Sequence, residues 1–181
     1  MENDFFIEIG KLKALKRKGW VESGINSPES VADHSFRTAI IASVMCPQEL
    51  DKNKVLQMAL FHELGEIDAG DITPYENITK ADKEKKEADC VNRLVKLLGK
   101  KNSAQINLIW DEYLEQESGE AKFVKQCDLF EMGLQAYEYE KSQHDNIKNS
   151  RWAFFEFIDK RLNDKNLLKL YSEIKNAKSK I

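Results

Sequence analysis

Residues 60–74 read LFHELGEIDAGDITP and place one histidine and four carboxylates within a span of ten residues. On a helix, residues three or four positions apart share a face, so His62 and Glu66 can point the same way with Glu63 beside them. Burial of these groups among the apolar residues of the segment would be costly without partners, and a bound cation would remove that cost. A polar helix end that emerges into water is the alternative.

Helical spacing of apolar residues dominates the rest of the chain, which has only 8 glycines and 3 prolines in 181 residues. Ser27 is a candidate N-cap with Pro28 at the first helical position of the second helix. The pattern predicts an all-α fold, one domain over residues 1–181 with about eight helices and no strands. Four of the predicted helices matter below, at residues 4–18, 28–46, 51–66 and 120–141.

The composition excludes several classes of protein. A formal net charge of -3 lacks the basic excess of a general nucleic-acid binder. Three widely spaced cysteines without a C-x-x-C pair argue against a disulfide framework or a cysteine-rich zinc site. No signal peptide is visible, and no apolar run approaches the ~18–20 residues of a membrane span. We therefore expect a cytoplasmic protein that binds neither nucleic acid nor membrane.

Two further residues stand out because of where they fall in predicted helices. His34 lies in the middle of the second helix, and Asp128 lies inside an apolar repeat of the long helix. Aspartate is a poor helix former, and one near an apolar face needs a partner. The alternatives are a hydrogen-bonded core histidine and an exposed acid. His144, in a polar stretch, is expected to lie at the surface.

Two neutral imidazoles combined with carboxylates suit a borderline divalent ion such as Mn²⁺, Co²⁺, Fe²⁺ or Zn²⁺. In phosphate ester hydrolysis such an ion polarises a phosphoryl oxygen and lowers the pKa of a water molecule. A nearby carboxylate can then orient that water or accept its proton. The residue types therefore predict a divalent-metal site, and an ion held there would suit the hydrolysis of phosphate esters.

The order His34, His62-Glu63, Asp128 resembles the H…HD…D pattern of the HD superfamily of metal-dependent phosphohydrolases. Within it, the chain is similar to the 5'-deoxynucleotidases of the YfbR and HD-domain-containing protein 2 group. The similarity runs from about residue 5 to 140. Four ordered blocks carry it: LKALKRKGW at 12–20, PESVADHSFR at 28–37, residues 60–74, and EAKFVKQCDLFEMGLQAYEYE at 120–140.

This resemblance implies a single HD domain, one divalent metal ion, a homodimer, and hydrolysis of nucleoside 5'-monophosphates to nucleoside and phosphate. It also implies a role for each matching residue. Of two catalytic acids, Glu66 would help to activate the attacking water, and Asp71 would lie near the metal-bound water and the sugar. Arg17 would contact the substrate phosphate, and Trp20 would line the nucleoside side. The implied metal ligands are His34, His62, Glu63 and Asp128; the catalytic acids are Glu66 and Asp71; the substrate contacts are Arg17 and Trp20.

The chain departs from the family pattern at one ligand, since Glu63 stands where the family has aspartate. The glutamate arm is longer by one C–C bond, roughly 1.5 Å, whereas active sites tolerate misplacements of only ~0.5 Å without compensation. Two alternatives therefore stay open beside the nucleotidase. One is an HD enzyme for another phosphate ester or a cyclic nucleotide, and the other is a nucleotide-binding protein whose activity Glu63 weakens.

Overall fold

The computed structural model describes residues 2–73, 76–150 and 152–178, with side chains as far as residue 176. The predicted all-α class is confirmed, because the described chain forms helices and one isolated antiparallel bridge, between Lys16 and Ser30. Pro74 and Arg151 lie outside the described residues. The helices are α1 Glu2–Ile9, a 3-10 turn Gly10–Lys13, α2 Lys18–Glu22, α3 Val31–Met45, α4 Lys52–Phe61, α5 Glu66–Ala69, α6 Lys80–Val95, α7 Lys100–Glu115, α8 Gly119–Ser142, α9 His144–Lys148, α10 Phe154–Asp159 and α11 Lys165–Lys178.

The prediction of one helix over residues 4–18 is wrong. The chain leaves the helix because two of its backbone groups pair instead with the segment before α3. Arg17 N–H donates to the carbonyl of Glu29 at 3.1 Å, and Val31 N–H donates to the carbonyl of Leu15 at 2.8 Å. Arg17 is therefore extended, with φ -62° and ψ 109°, and precedes the short α2.

The predicted cap of the next helix is also displaced. Ser27 has a positive φ of 55°, and α3 begins at Val31 rather than at Pro28. Ser30 is the N-cap and forms a capping box with Asp33, in which each side chain accepts a hydrogen bond from the other residue's backbone N–H. The reciprocal bonds satisfy two backbone donors at the start of the helix.

The third predicted helix, residues 51–66, is divided into two. Helix α4 ends at Phe61 with His62 as its C-cap, and α5 begins at Glu66. The intervening turn brings Gly65 against α6, where an added Cβ would lie 2.6 Å from the Glu87 Cβ. Any larger residue at 65 would push α6 away, so the glycine sets how closely this turn approaches that helix. His62 and Glu66 consequently do not share one helix face.

Helix α8 is the central element, since it contacts α3, α4, α7, α9, α10 and α11. Its buried residues include Cys127 at 0% exposure, so this cysteine lies in the core. Asp128 and Glu131 are buried on the same helix, which places ionisable groups in the interior beside α3 and α4. None of the described helices is long and apolar enough to cross a membrane.

Candidate active site

Four side chains from three parts of the fold meet in one cluster. His34 comes from the first half of α3, His62 and Glu63 follow α4, and Asp128 lies on α8. Their potential ligand atoms all lie within 4.8 Å of one another. His34 Nε2 is 3.2 Å from Asp128 Oδ1 and 3.7 Å from Glu63 Oε1, and His62 Nε2 is 3.4 Å from the same Glu63 oxygen.

The two imidazoles present their Nε2 atoms to this cluster. Both Nε2 atoms are buried and have no hydrogen-bond partner. Each Nδ1 is occupied on the other side of its ring: His34 Nδ1 contacts Glu131 Oε2 at 2.5 Å, and His62 Nδ1 lies 2.8 Å from the Ala59 carbonyl. An imidazole that donates from Nδ1 keeps a lone pair on Nε2 for a metal ion. The donor set therefore fits a divalent cation.

The two carboxylates of the cluster are held in the ionised form. Burial raises the pKa of Glu63, but His62, Arg17 and His34 outweigh it and bring the pKa to about 2. Burial likewise raises the pKa of Asp128, and Lys125, with its Nζ 2.7 Å from Oδ2, brings it well below the usual range. Two ionised carboxylates in a buried cluster favour a cation between them.

The two imidazoles differ in their charge. Burial lowers the pKa of His62, so this ring is neutral at physiological pH. Burial and Arg17 also lower the pKa of His34, yet the nearby carboxylates, Glu131 first, prevail and raise it to about 10. Without a metal ion, a proton on His34 therefore balances the acids. A divalent cation would supply that positive charge instead.

Glu66, at the start of α5, lies beside the cluster and is 3% exposed. Its Oε2 is buried without a hydrogen-bond partner. Burial, followed by the negative charges of Glu63 and Asp71, raises the pKa of Glu66 well above its usual value. A buried carboxyl whose pKa is raised in this way is suited to proton transfer.

Arg17 provides a cation next to this group of acids. Its Nη1 lies 3.5 Å from Glu63 Oε1, and its Nε lies 4.0 Å from Glu29 Oε1. Asp71 fixes the adjacent backbone, because its Oδ2 accepts a 2.6 Å hydrogen bond from the Lys18 N–H at the start of α2. Burial lowers the pKa of Arg17, but Asp71 and Glu63 more than compensate, so the guanidinium stays charged.

These groups open onto a cavity of about 770 Å³. Seven of the eight residues singled out in the sequence line it, and His34 lies behind them. Trp20 contributes only one edge to the cavity wall, because it is 2% exposed. Its Nε1 donates a 2.9 Å hydrogen bond to Glu29, and its ring packs on Phe154 with centroids 4.0 Å apart. The rest of the wall includes the aromatic residues Trp152, Phe154 and Phe157 and the cations Lys83, Lys125, Lys160 and Arg161.

Sequence reasoning left several of these groups without a role. Glu131 carries one weak signal, as an acid three residues after Asp128 in an apolar helix. Glu29 meets Trp20 and Arg17 only through the fold. Lys125 lies three residues before Asp128 and binds it at 2.7 Å, so its spacing on the long helix could have indicated this pair. The aromatic wall formed by residues 152–157 follows no motif, and only the packing of α10 against α8 brings it to the cavity.

Several known proteins are similar to this chain in sequence and in fold. The HD domain family matches residues 9–169. The 5'-deoxynucleotidase HDDC2 of Dictyostelium discoideum is 43% identical over 149 residues, 78% of each chain. The human protein of that name is 37% identical over 172 residues, 94% of this chain and 83% of its own. The crystal structure of a predicted metal-dependent phosphohydrolase from Magnetospirillum magnetotacticum MS-1 is 26% identical, with a TM-score of 0.76 over 96% of this chain and 89% of its own.

The match to the family extends across α3, α4 and α8, the three helices from which the cluster is built. A cluster with the chemistry of a divalent-metal site thus lies within the matching region. The protein belongs to the HD domain family of metal-dependent phosphohydrolases.

Proposed function

We propose that this protein is a metal-dependent nucleotidase that hydrolyses (deoxy)ribonucleoside 5'-monophosphates to nucleoside and phosphate. The observation that carries the proposal is the pair of buried, unpartnered Nε2 atoms of His34 and His62, which face Glu63 and Asp128 beside a cavity of about 770 Å³. The substrate class follows from the relatives named 5'-deoxynucleotidase, at 43% and 37% identity.

His34, His62, Glu63 and Asp128 would hold one divalent ion, and Mn²⁺, Co²⁺, Fe²⁺ and Zn²⁺ all suit this mixture of imidazole and carboxylate. When bound, the ion supplies a Lewis acid for the phosphoryl oxygen and a water of lowered pKa. Glu63 supports the assignment despite its longer arm, because its Oε1 already lies 3.4 and 3.7 Å from the two Nε2 atoms.

Arg17 would bind the substrate phosphate. A guanidinium forms paired hydrogen bonds to a phosphate, and this one lies at the edge of the ligand cluster, 3.5 Å from Glu63. Its backbone is fixed on both sides, by the bond from its N–H to Glu29 and by the bond from Lys18 to Asp71. A phosphate held there would lie next to the cluster without a change in the backbone.

Glu66 and Asp71 would handle protons and the sugar. Burial raises the pKa of Glu66 and favours its protonated form, so this carboxyl would exchange a proton with the attacking water or the leaving 5'-oxygen. Asp71 lines the same cavity, where its Oδ2 accepts the hydrogen bond from the Lys18 N–H. The edge of Trp20 and the neighbouring aromatic wall would face the nucleoside, since aromatic rings stack on bases of every type.

Hydrolysis is tested with metal-free protein reloaded with Mn²⁺ or Co²⁺ and given a panel of deoxyribonucleoside and ribonucleoside 5'-monophosphates. Release of inorganic phosphate that stops on addition of a chelator supports the proposal. Release only from cyclic nucleotides or other phosphate esters would favour a different HD phosphohydrolase. Binding of dAMP without release would favour the nucleotide-binding alternative that Glu63 raises.

The proposal also covers the assembly. We expect residues 1–181 to act as one HD domain, of which the family match spans 9–169, and two copies to form a homodimer. Light scattering coupled to size-exclusion chromatography measures the mass in solution. A mass near the 20.9 kDa of one chain would contradict the dimer without affecting the proposed reaction.

A further inference from the structure

Glu131 is a fully buried carboxylate that the reaction as proposed does not use. It lies on α8 one turn after Asp128 and is 0% exposed. Its two oxygens have different partners. Oε2 contacts His34 Nδ1 at 2.5 Å, and Oε1 contacts the Arg37 guanidinium, at 2.9 Å from Nε and 2.7 Å from Nη2. The Glu131 carboxylate therefore connects the His34 imidazole to the Arg37 guanidinium, and both of these residues lie on α3.

Arg37 lies one turn after His34 on α3 and connects the buried carboxylate to the surface. Its Nη1 binds both oxygens of the exposed Glu138 at 2.9 Å, and its Nη2 binds the Gln135 side chain at 2.5 Å. The guanidinium is thus held by three side chains of α8. Because α3 and α8 carry both ends of the network, the Glu131 carboxylate has little freedom to rotate away from His34.

We infer that Glu131, held by Arg37, is a positioning residue that fixes the His34 ring with Nδ1–H donated to the carboxylate and Nε2 aimed into the metal cluster. The inference rests on the proposed function, since it assigns His34 to the metal ion. A carboxylate partner fixes the orientation of a ligating imidazole and strengthens it as a ligand.

The two histidines of the cluster are unequal in this respect. His62 Nδ1 meets the neutral Ala59 carbonyl of its own helix, whereas His34 Nδ1 meets an ionised carboxylate contributed from α8. Hydrogen bonds to ionised groups are roughly twice as strong as those between neutral groups. Loss of Glu131 should therefore weaken the site through His34 and leave His62 in place.

Glu131→Gln keeps the size of the side chain and an oxygen that can accept the His34 N–H, but it removes the charge. Arg37→Met removes the cation that holds the carboxylate. Glu138→Gln is the matched control, because Glu138 binds the same arginine at the surface and does not touch His34. Each variant is titrated with Co²⁺ against a competing chelator, and the visible absorption of the bound Co²⁺ is recorded.

We expect Glu131→Gln to weaken Co²⁺ binding by about 10–100-fold and to alter the absorption spectrum, as loss of such outer contacts does in other metal sites. Arg37→Met should act in the same direction by a smaller factor, and Glu138→Gln should match the wild type. Thermal unfolding of the metal-free variants reports separately on the fold. If Glu131→Gln does not fold, Arg37→Met and its control decide the question.

Wild-type affinity and spectrum in Glu131→Gln would overturn the inference, as would an equal loss in Glu138→Gln. A second measurement does not depend on the metal. In the metal-free protein, the proton on His34 Nδ1 should give a downfield NMR resonance that Glu131→Gln shifts or abolishes. If the wild type binds no Co²⁺, the proposed metal centre fails, and an unchanged resonance in the variant would overturn the positioning role independently.

Discussion

Arg17 Nη1 lies 3.5 Å from Oε1 of Glu63, the same oxygen that faces the Nε2 atoms of His34 and His62. The one predicted ligand position at which this chain departs from the family pattern is thus also the point where the cluster meets Arg17. Glu63 follows the end of α4 in a turn, so its backbone is not bound to the direction of a helix. This local geometry allows the longer carboxylate to reach the cluster.

We expect Glu63→Asp to leave kcat/KM unchanged or to lower it. The glutamate oxygen already lies within 4 Å of both imidazole nitrogens, and the shorter arm would withdraw it by roughly 1.5 Å. Glu63→Gln should weaken metal binding strongly because it removes an ionised ligand. Phosphate release and Co²⁺ affinity measure both effects. A large gain in rate for Glu63→Asp would instead show that glutamate impairs the site.

Arg17→Lys should reduce kcat/KM toward nucleoside monophosphates by about 10–100-fold, chiefly through KM, because an ammonium cannot form the paired hydrogen bonds of a guanidinium. Lys18→Met is the matched control. The Lys18 ammonium pairs with Glu76 at 2.9 Å, away from the cluster, and only its backbone N–H binds Asp71. Steady-state kinetics compare the two variants, and an equal loss in both would argue against phosphate binding by Arg17.

The fold class could be predicted from helical spacing, yet several boundaries could not. Helix propensity continues through residues 14–17, but pairing of this segment with residues 29–31 is a contact between segments that no local pattern encodes. The split after His62 depends on the close approach of Gly65 to Glu87 on α6. In both cases tertiary contacts override the local pattern.

The order of the sequence motifs predicted which residues meet at the site. It did not predict the contacts that support these residues. His34 and Glu131 are separated by 97 positions in sequence, and Glu29 meets Trp20 and Arg17 only because the chain folds back at the Lys16–Ser30 bridge. A single sequence contains no signal for such pairs. The roles of the eight residues remain predictions, and the variants described here test four of them directly: Arg17, His62, Glu63 and Glu66.

Metal binding should raise the stability of the protein. An ion that binds the folded state alone stabilises it by about 2.7 kcal/mol at a free concentration of 100 Kd. The predicted ligand atoms converge only in the folded chain, so we expect Mn²⁺ or Co²⁺ to raise the Tm of chelator-treated protein. His62→Ala removes one of these ligands and should abolish the rise. Calorimetry with and without metal measures this shift. An equal rise in His62→Ala would place the ion elsewhere.

Glu66 is a site at which function and stability should oppose each other. Burial raises its pKa, with the charges of Glu63 and Asp71 adding to the effect. A carboxyl whose pKa is higher in the folded than in the unfolded state binds its proton more tightly when folded. Its effect on folding is therefore most favourable below the unfolded value of about 4.3 and becomes less favourable as pH rises toward the folded value.

Glu66→Gln replaces this carboxyl by a neutral group of the same size. We expect the variant to lose about 10²–10⁴-fold in kcat, the range for removal of a general acid or base, while Co²⁺ affinity stays near the wild-type value. Urea unfolding of the metal-free proteins should show the variant to be more stable than the wild type at pH 7–8, with the difference shrinking toward pH 4. A variant that is equally destabilised at every pH would show instead that Glu66 serves the packing of α5, because a titrating group in this environment must make the difference depend on pH.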